Sequence, residues 1–275
     1  MRKYFLLPHL GLGDQFLMNG FVHYLRTTFF PDEIMIVCKA PQLKTLQELY
    51  QEYPIVKFHP IENDIEISPA YGAGPDKLMS YVKQGYHLIL FGTHSAQRNY
   101  LKLHPTSWAS GFYAQHGIPY WMRFSHWHLP PTAQYDALHQ QLTQRIGKDY
   151  ILLHDDPSRD LRLPYEAIQA ILQKHQLQNL PIIYLGKDRY NYPLLPYPAN
   201  NPHVADILKV DSALSYSTIM KNAKACFMMD SSMAILLDML QPSPQQLRYS
   251  YSRYRQFPTQ GLYQTVWEFG ECLEK

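Results

Sequence analysis

Residues 3–25 read KYFLLPHLGLGDQFLMNGFVHYL, and this stretch carries the pattern from which the fold is predicted. The apolar run at 3–7 is typical of a buried strand. A turn with two glycines follows, and Leu17, Phe21, Tyr24 and Leu25 then recur at the spacing of one helix face. The stretch therefore predicts a strand, a tight turn and a long helix.

The same alternation continues along the chain. Further strand-like runs lie at 34–38, 56–59, 87–91, 150–154, 182–185, 204–210 and 226–229. Helical patterns at 43–53, 165–175 and 233–240 lie between them. Strands that alternate with helices indicate βαβ units and a mainly parallel sheet, so the predicted class is α/β.

The alternation is interrupted at 104–131, which holds three of the four tryptophans. A polar helical pattern at 135–145 and Gly147 precede the next buried strand. We therefore predict two Rossmann-like domains, 1–140 and 141–245, and a tail at 246–275 whose residues 262–273 form a short helix.

The composition describes an ordinary globular protein. The 275 residues are 46% hydrophobic and 17% charged, with a net charge of +2, so no global field favours nucleic acid as a partner. Cys38, Cys226 and Cys272 are odd in number and far apart, which argues against a disulfide framework and a zinc site. No apolar stretch approaches the length of a membrane span, so the expected location is cytoplasmic.

The first candidate site is the turn after the first strand. Gly11 and Gly13 allow a ligand to approach the backbone, and the following helix directs free N–H groups at the turn. The dinucleotide-binding fingerprint is incomplete because Phe16 stands where its third glycine is required. Asp14 either caps the helix or presents its carboxylate to a sugar hydroxyl.

The second candidate site follows the strand at 150–154. Ligands of open α/β sheets bind at the carboxyl ends of strands, where His154 and the loop to Pro164 must lie. Arg159 and Arg162 suit bidentate contacts with a diphosphate, unless the Arg and Asp residues of this loop satisfy one another.

Two further strand ends join this second site. Asp230, Ser231 and Ser232 link the strand at 226–229 to a helix, which makes either an anion-binding helix start or a simple serine cap. Gly186 follows the strand at 182–185 and completes the set of candidate residues at these strand ends.

Taken together, these residues resemble the GT-B glycosyltransferases and, within them, the ADP-heptose:lipopolysaccharide heptosyltransferase group. Residues 13–20 are similar to its Gly-Asp loop, 154–164 to its basic loop, and 215–232 to its late helix–strand–turn block. Leu163 stands where that group has Trp, and Ser232 where it has Gly. The start also resembles fucosyltransferases that use GDP-fucose, so sugar and nucleotide stay open.

The resemblance implies two Rossmann-like domains facing a cleft, with a C-terminal helix that returns to the first domain. It implies a metal-independent, inverting transfer without a cofactor, from a nucleotide sugar to a glycan or lipid-linked acceptor. Asp14 would be the general base, and Gly11, Gly13 and Gln15 would form the acceptor-side loop. The donor-side residues would stabilise the departing diphosphate.

Other interpretations stay open at this stage. The chain could be a degenerate GT-B protein that binds sugar or a protein partner. It could also be a sugar epimerase or phosphatase, with His94, His116 and His154 as candidates for acid–base chemistry.

Two segments also permit two interpretations each. The basic tail at 248–255 is either a solvated crossover or a surface for an anionic acceptor or the inner membrane face. The aromatic stretch at 108–127 either packs within a domain or forms a lid over the acceptor.

Overall fold

The computed structural model describes residues 1–62, 75–92, 108–155, 161–185, 204–252 and 262–274. The chain divides into two compact units, Met1–Pro130 with Gln260–Leu262, and Pro131–Thr259 with Tyr263–Lys275. The division comes before residue 140 because the helix Asp136–Ile146 packs within the second unit, where Asp136 accepts a 2.8 Å hydrogen bond from the Thr218 hydroxyl.

The first unit is built on a four-stranded parallel sheet. Its strands are β1 (Lys3–Pro8), β2 (Glu33–Lys39), β3 (Val56–Ile61) and β4 (Tyr86–Phe91), in the order β3-β2-β1-β4. The helices are α1 (Leu12–Phe29), α2 (Leu43–Leu49), α3 (Pro75–Lys83), α4 (Trp108–Ala114) and α5 (Met122–Ser125). Apolar side chains of β1, led by Phe5 and Leu7, form the centre of a core cluster with Val37 and Ile61.

The second unit is built on a six-stranded parallel sheet. Its strands are β5 (Ile151–His154), β7 (Ile182–Leu185), β8 (Val204–Leu208), β9 (Ala225–Met229), β10 (Leu247–Ser252) and β11 (Glu268–Glu271), in the order β11-β10-β9-β5-β7-β8. The short strands β6 (Leu161–Arg162) and β12 (Leu273–Glu274) pair in antiparallel fashion. The helices are α6 (Asp136–Ile146), α7 (Tyr165–Lys174), α8 (Ser217–Asn222) and α9 (Ser232–Met239).

The predicted α/β class is confirmed, because both sheets are parallel and helices connect their strands. All four residues of β5, all four of β7 and all five of β9 are buried. Strands covered on both faces need continuous apolar runs, which is why these segments were readable in the sequence.

The predicted C-terminal helix is wrong. Residues 268–271 form β11, which pairs with β10 in the sheet of the second unit, and only Gln260–Leu262 group with the first unit. Gly270 disfavours a helix at this position. In the strand, a Cβ on this residue would lie 2.7 Å from the Tyr251 ring, so glycine allows the ring to approach. The tail is therefore mainly part of the second unit.

A fully buried arginine binds Leu262, a tail residue that groups with the first unit. Arg123 in α5 donates to the carbonyl of Leu262 and to the hydroxyl of Tyr120, and its guanidinium lies 4.5 Å from the Trp127 ring centroid. Across the residues described, no helix is long and apolar enough to cross a membrane.

Candidate functional site

The turn between β1 and α1 is fixed by backbone and side-chain hydrogen bonds. His9 N–H donates to the carbonyl of Phe91 at the end of β4 (2.9 Å), and the Gln42 side-chain amide donates to the carbonyl of Leu10 (3.1 Å). Because β1, β2 and β4 run parallel, the turn lies at the carboxyl edge of the first sheet. This is the edge at which parallel α/β sheets bind ligands.

Asp14 lies in the first turn of α1, and its carboxylate points back toward the helix start. Oδ2 accepts the N–H of Gly11 (3.1 Å) and the Nδ1–H of His9 (2.9 Å). Oδ1 accepts no hydrogen bond from any residue that the structure describes. The N-cap residue is Gly11, so Asp14 contributes to capping from the third helical position, with 14% of its side chain exposed.

Gly11 leaves room for the Asp14 carboxylate. Its φ of −78° is open to any residue, but a Cβ there would lie 2.5 Å from Oδ2 of Asp14. Gln15 is fully buried and its side-chain amide donates to the carbonyl of Val37 (2.9 Å), which fastens α1 to β2. Gly13 is half-buried in the same helical turn. The acceptor-side role of these three residues stays a prediction.

In the second unit, adjacent strands bring several candidates to one edge. His154 ends β5 and is buried, and its Nδ1–H donates to the carbonyl of Leu185 at the end of β7 (3.2 Å). His154 is in register with Met228 of β9, so Asp230, two residues further on, lies beside the end of β5. His154 and Asp230 therefore lie close together at the carboxyl edge of this sheet.

Ser231 and Ser232 open α9 at that edge. Ser231 is the N-cap, and its hydroxyl accepts the N–H of Met233 at 3.3 Å, so its side chain caps the helix. Ser232 is half-buried in the first turn. The first N–H groups of α9 carry the positive end of the helix dipole, which favours a bound anion.

The remaining donor-side candidates are only partly described. Arg162 lies in β6, where it is in register with Leu273 of β12 and half-buried. Arg159, Gly186 and His94 lie outside the described residues.

His116 has a structural environment. Its ring lies 5.3 Å from the ring of Phe21 and stacks on Phe91, and Nε2–H donates to the carbonyl of Leu90 (3.0 Å). Burial lowers the pKa of His116. The aromatic stretch around it packs likewise: the Tyr113 hydroxyl, in α4, donates to the carbonyl of Leu17 in α1.

The basic tail is also part of a core. Arg248 is 4% exposed in β10, where it donates to the carbonyls of Val266 (2.9 Å) and Ser243 (3.0 Å). Burial lowers the pKa of this guanidinium. The expectation of a solvated or membrane-facing segment is wrong for 248–252, because these residues form a sheet strand; 253–255 lie outside the described residues.

Comparison with known proteins rests on structure. No family model matches the sequence, and no curated protein does. A glycosyl transferase family 9 structure from Veillonella parvula DSM 2008 matches with a TM-score of 0.61 and 11% identity, over 100% of this chain and 88% of that chain. The chain has a heptosyltransferase-like GT-B fold.

Two other structures have this fold. E. coli heptosyltransferase WaaC with ADP-2-deoxy-2-fluoro heptose matches with a TM-score of 0.51 and 14% identity, over 98% of this chain and 92% of that chain. TibC, an iron-containing dodecameric glycosyltransferase from enterotoxigenic E. coli H10407, matches with a TM-score of 0.53 and 10% identity, over 91% of this chain and 59% of that chain.

Within this GT-B fold, sequence reasoning missed two residues. His9 contacts Asp14, and Asp155, 3% exposed, follows His154 at the end of β5. His9 stands in the quoted glycine turn, but a contact five residues away depends on the path of the turn. Asp155 is a carboxylate directly after a buried strand, which was a readable signal.

The first unit also has an open cavity of about 550 Å³, which lies away from the turn that holds Asp14. It is lined by Arg26, Thr27, Phe30, Pro31, Glu52, Tyr53, Pro54 and Ile55. These residues precede β2 and β3, so the cavity is at the amino ends of the strands, opposite Asp14. Among the described residues no group of three or more His, Cys, Asp and Glu is arranged to hold a metal ion.

Proposed function

We propose that this protein is a glycosyltransferase that moves a sugar from a nucleotide-sugar donor to a hydroxyl acceptor. The heptosyltransferase-like fold over the whole chain carries this proposal. The position of the two candidate sites supports it, because each lies at the carboxyl edge of a parallel sheet and each includes a helix start.

The donor binds the second unit in this proposal. WaaC was solved with ADP and with an ADP-heptose analogue, which supports a nucleoside diphosphate sugar as the ligand class. The first N–H groups of α9, at Ser231 and Ser232, would contact the diphosphate, with Arg159 and Arg162 as its cationic partners. His154, Gly186 and Asp230 would line the rest of the donor site.

The chemistry proposed is an inverting, metal-independent transfer to a glycan or lipid-linked acceptor. The acceptor oxygen attacks the anomeric carbon, the bond from that carbon to the diphosphate oxygen breaks, and the hydroxyl proton passes to a base. The Asp14 carboxylate supplies the negative charge that favours removal of that proton. Charge grows on the diphosphate as it departs, so donors at the helix start act most strongly in the transition state.

Ligand-induced thermal stabilisation tests the proposal. We expect one of UDP, GDP, ADP, CMP and dTDP at millimolar concentration to raise the melting temperature, equally with magnesium and with EDTA. Ser232→Glu places an acidic group at the start of α9, which suits the helix but repels a diphosphate, so it removes the shift without unfolding the protein.

Ser80→Glu is the matched control, because Ser80 is exposed on α3 in the first unit and the shift should persist. If none of the five nucleotides stabilises the wild-type protein, the transferase proposal is wrong. A shift that Ser232→Glu leaves intact would move the donor site away from α9.

A further inference from the structure

His9 is held in place at the edge of the first sheet by hydrogen bonds of its backbone and of its ring. Its backbone N–H donates to Phe91 (2.9 Å), and its carbonyl accepts the N–H of Gly11 (2.8 Å). Its ring Nδ1 lies 2.9 Å from Oδ2 of Asp14. The ring is therefore fixed relative to the carboxylate by the backbone on one side and by Asp14 on the other.

The contact determines which ring nitrogen of His9 carries hydrogen. An ionised carboxylate can only accept, so Nδ1 must donate to Asp14. In a neutral imidazole the other nitrogen, Nε2, then carries a lone pair and can take up a proton. Asp14 thus sets the tautomer that makes His9 a base, as a carboxylate does in other His–Asp pairs.

The two side chains differ in access. The carboxylate of Asp14 is 14% exposed and is packed against Gly11, whereas the imidazole of His9 is 29% exposed. Of the two, the imidazole is the group that an incoming hydroxyl meets more readily. An imidazole also titrates close to neutral pH, where general-base catalysis is most effective.

We propose that His9 and Asp14 form a catalytic dyad in which Nε2 of His9 accepts the proton of the acceptor hydroxyl. The inference rests on the proposed glycosyl transfer and refines it. The O–H bond of the acceptor breaks as its oxygen bonds the anomeric carbon, and the nucleoside diphosphate leaves with the electron pair of the broken C–O bond. The imidazolium that forms is stabilised by Asp14 through Nδ1–H.

His9→Asn separates this role from simple positioning. The asparagine amide can donate to Asp14 from nearly the place of Nδ1, so it keeps the carboxylate oriented but offers no basic nitrogen. The activity measured is release of nucleoside diphosphate to water from the sugar conjugate of whichever nucleotide stabilises the protein. His87→Asn, at an exposed position of β4, is the control.

A dyad predicts that His9→Asn lowers this rate by about 10²-fold or more, while nucleotide stabilisation is kept. The wild-type rate should fall when acid protonates the imidazole base, and the residual rate of His9→Asn should lack that step. If His9→Asn retains most of the rate and the same pH profile, His9 only positions Asp14 and the inference is overturned.

Nitrogen-15 NMR of the histidine rings gives an independent readout in the ligand-free protein. We expect His9 to carry its hydrogen on Nδ1 at pH 8. Hydrogen on Nε2 at that pH contradicts the dyad, whatever the rates. If the wild-type protein neither binds a nucleotide nor releases one from its sugar conjugates, the proposed function has failed instead.

Discussion

At the scale of single residues, a buried carboxylate organises residues 264–267, which directly precede β11. Asp238 in α9 is fully buried and accepts the backbone N–H groups of Gln264 (2.9 Å) and Thr265 (2.8 Å). It also accepts the Thr265 hydroxyl and the indole N–H of Trp267. Buried Arg248 binds the carbonyl of Val266 among them. Asp238 and Arg248 thus bind backbone groups of the same short segment.

Asp238→Asn should destabilise the protein by about 2–4 kcal/mol, because the amide group cannot accept on its nitrogen side and leaves buried donors without partners. Chemical denaturation measures the loss. Asp149→Asn is the matched control, since Asp149 is 58% exposed in its ion pair with Lys224 and should change stability by less than about 1 kcal/mol. Equal losses in the two variants would contradict the structural role of Asp238.

The sequence predicted which residues lie at strand ends more easily than which side chains contact one another. Asp14, His154 and Asp230 were predicted at carboxyl ends of strands, and the structure places them there. The partners of Asp238 lie 26 to 29 residues away along the chain, and no local pattern encodes them. The same holds for the amide of Gln15, which looked like part of a ligand loop and is buried against Val37.

At the scale of elements, α1 is packed closely against α5 through one glycine. A Cβ on Gly20 would lie 2.5 Å from the carbonyl oxygen of Arg123 and 2.9 Å from its Cα. Both are backbone atoms, so the clash cannot be relieved by turning a side chain. The glycine therefore allows the two helices to approach.

Gly20→Ala should destabilise the protein by about 1–3 kcal/mol, although alanine favours helix by about 1 kcal/mol over glycine. Thr28→Ala, at an exposed position of the same helix, should leave stability unchanged or raise it slightly. Thermal and urea unfolding of both variants checks this. A Gly20→Ala protein as stable as Thr28→Ala would mean that α5 does not pack at the distance described.

The elements that were missed have weak local signals. In β10, Arg248, Ser250 and Tyr251 are buried, so polar side chains stand where a pattern search expects apolar ones. Residues 268–271 were predicted as helix, and Trp267 and Phe269 lie there among polar residues without a strand-like run. Pairing with β9 decides the conformation of β10, and pairing with β10 decides that of β11.

At the scale of the whole molecule, both units contain histidines whose charged form is disfavoured. Burial lowers the pKa of His23 to about 4, helped by Arg26, His128 and His126. Burial also lowers the pKa of His116 in the first unit and of His139 in the second. Folded protein thus holds these rings neutral under conditions in which the unfolded chain would protonate them.

The neutral histidines should therefore make their full contribution to the free energy of unfolding above pH ~6.5. This contribution should decline as the pH falls toward 4, because the unfolded state binds more protons in that window. His23→Gln removes the titrating ring, so it should reduce the difference in melting temperature between pH 7 and pH 5. Glutamine is chosen because it can still bond the Tyr53 hydroxyl. Differential scanning calorimetry at the two pH values tests this. An unchanged difference would exclude His23 as a source of acid sensitivity.

Arg123 and Leu262 lie 139 residues apart, and their contact bears on how the protein folds as it is synthesised. All four strands of the first sheet lie within residues 3–91, so that sheet can form early on the ribosome. The guanidinium of Arg123 can bind its carbonyl partner only after residue 262 has been translated. The first sheet can thus form before the second unit has been synthesised, whereas the contact from Arg123 to Leu262 can form only later.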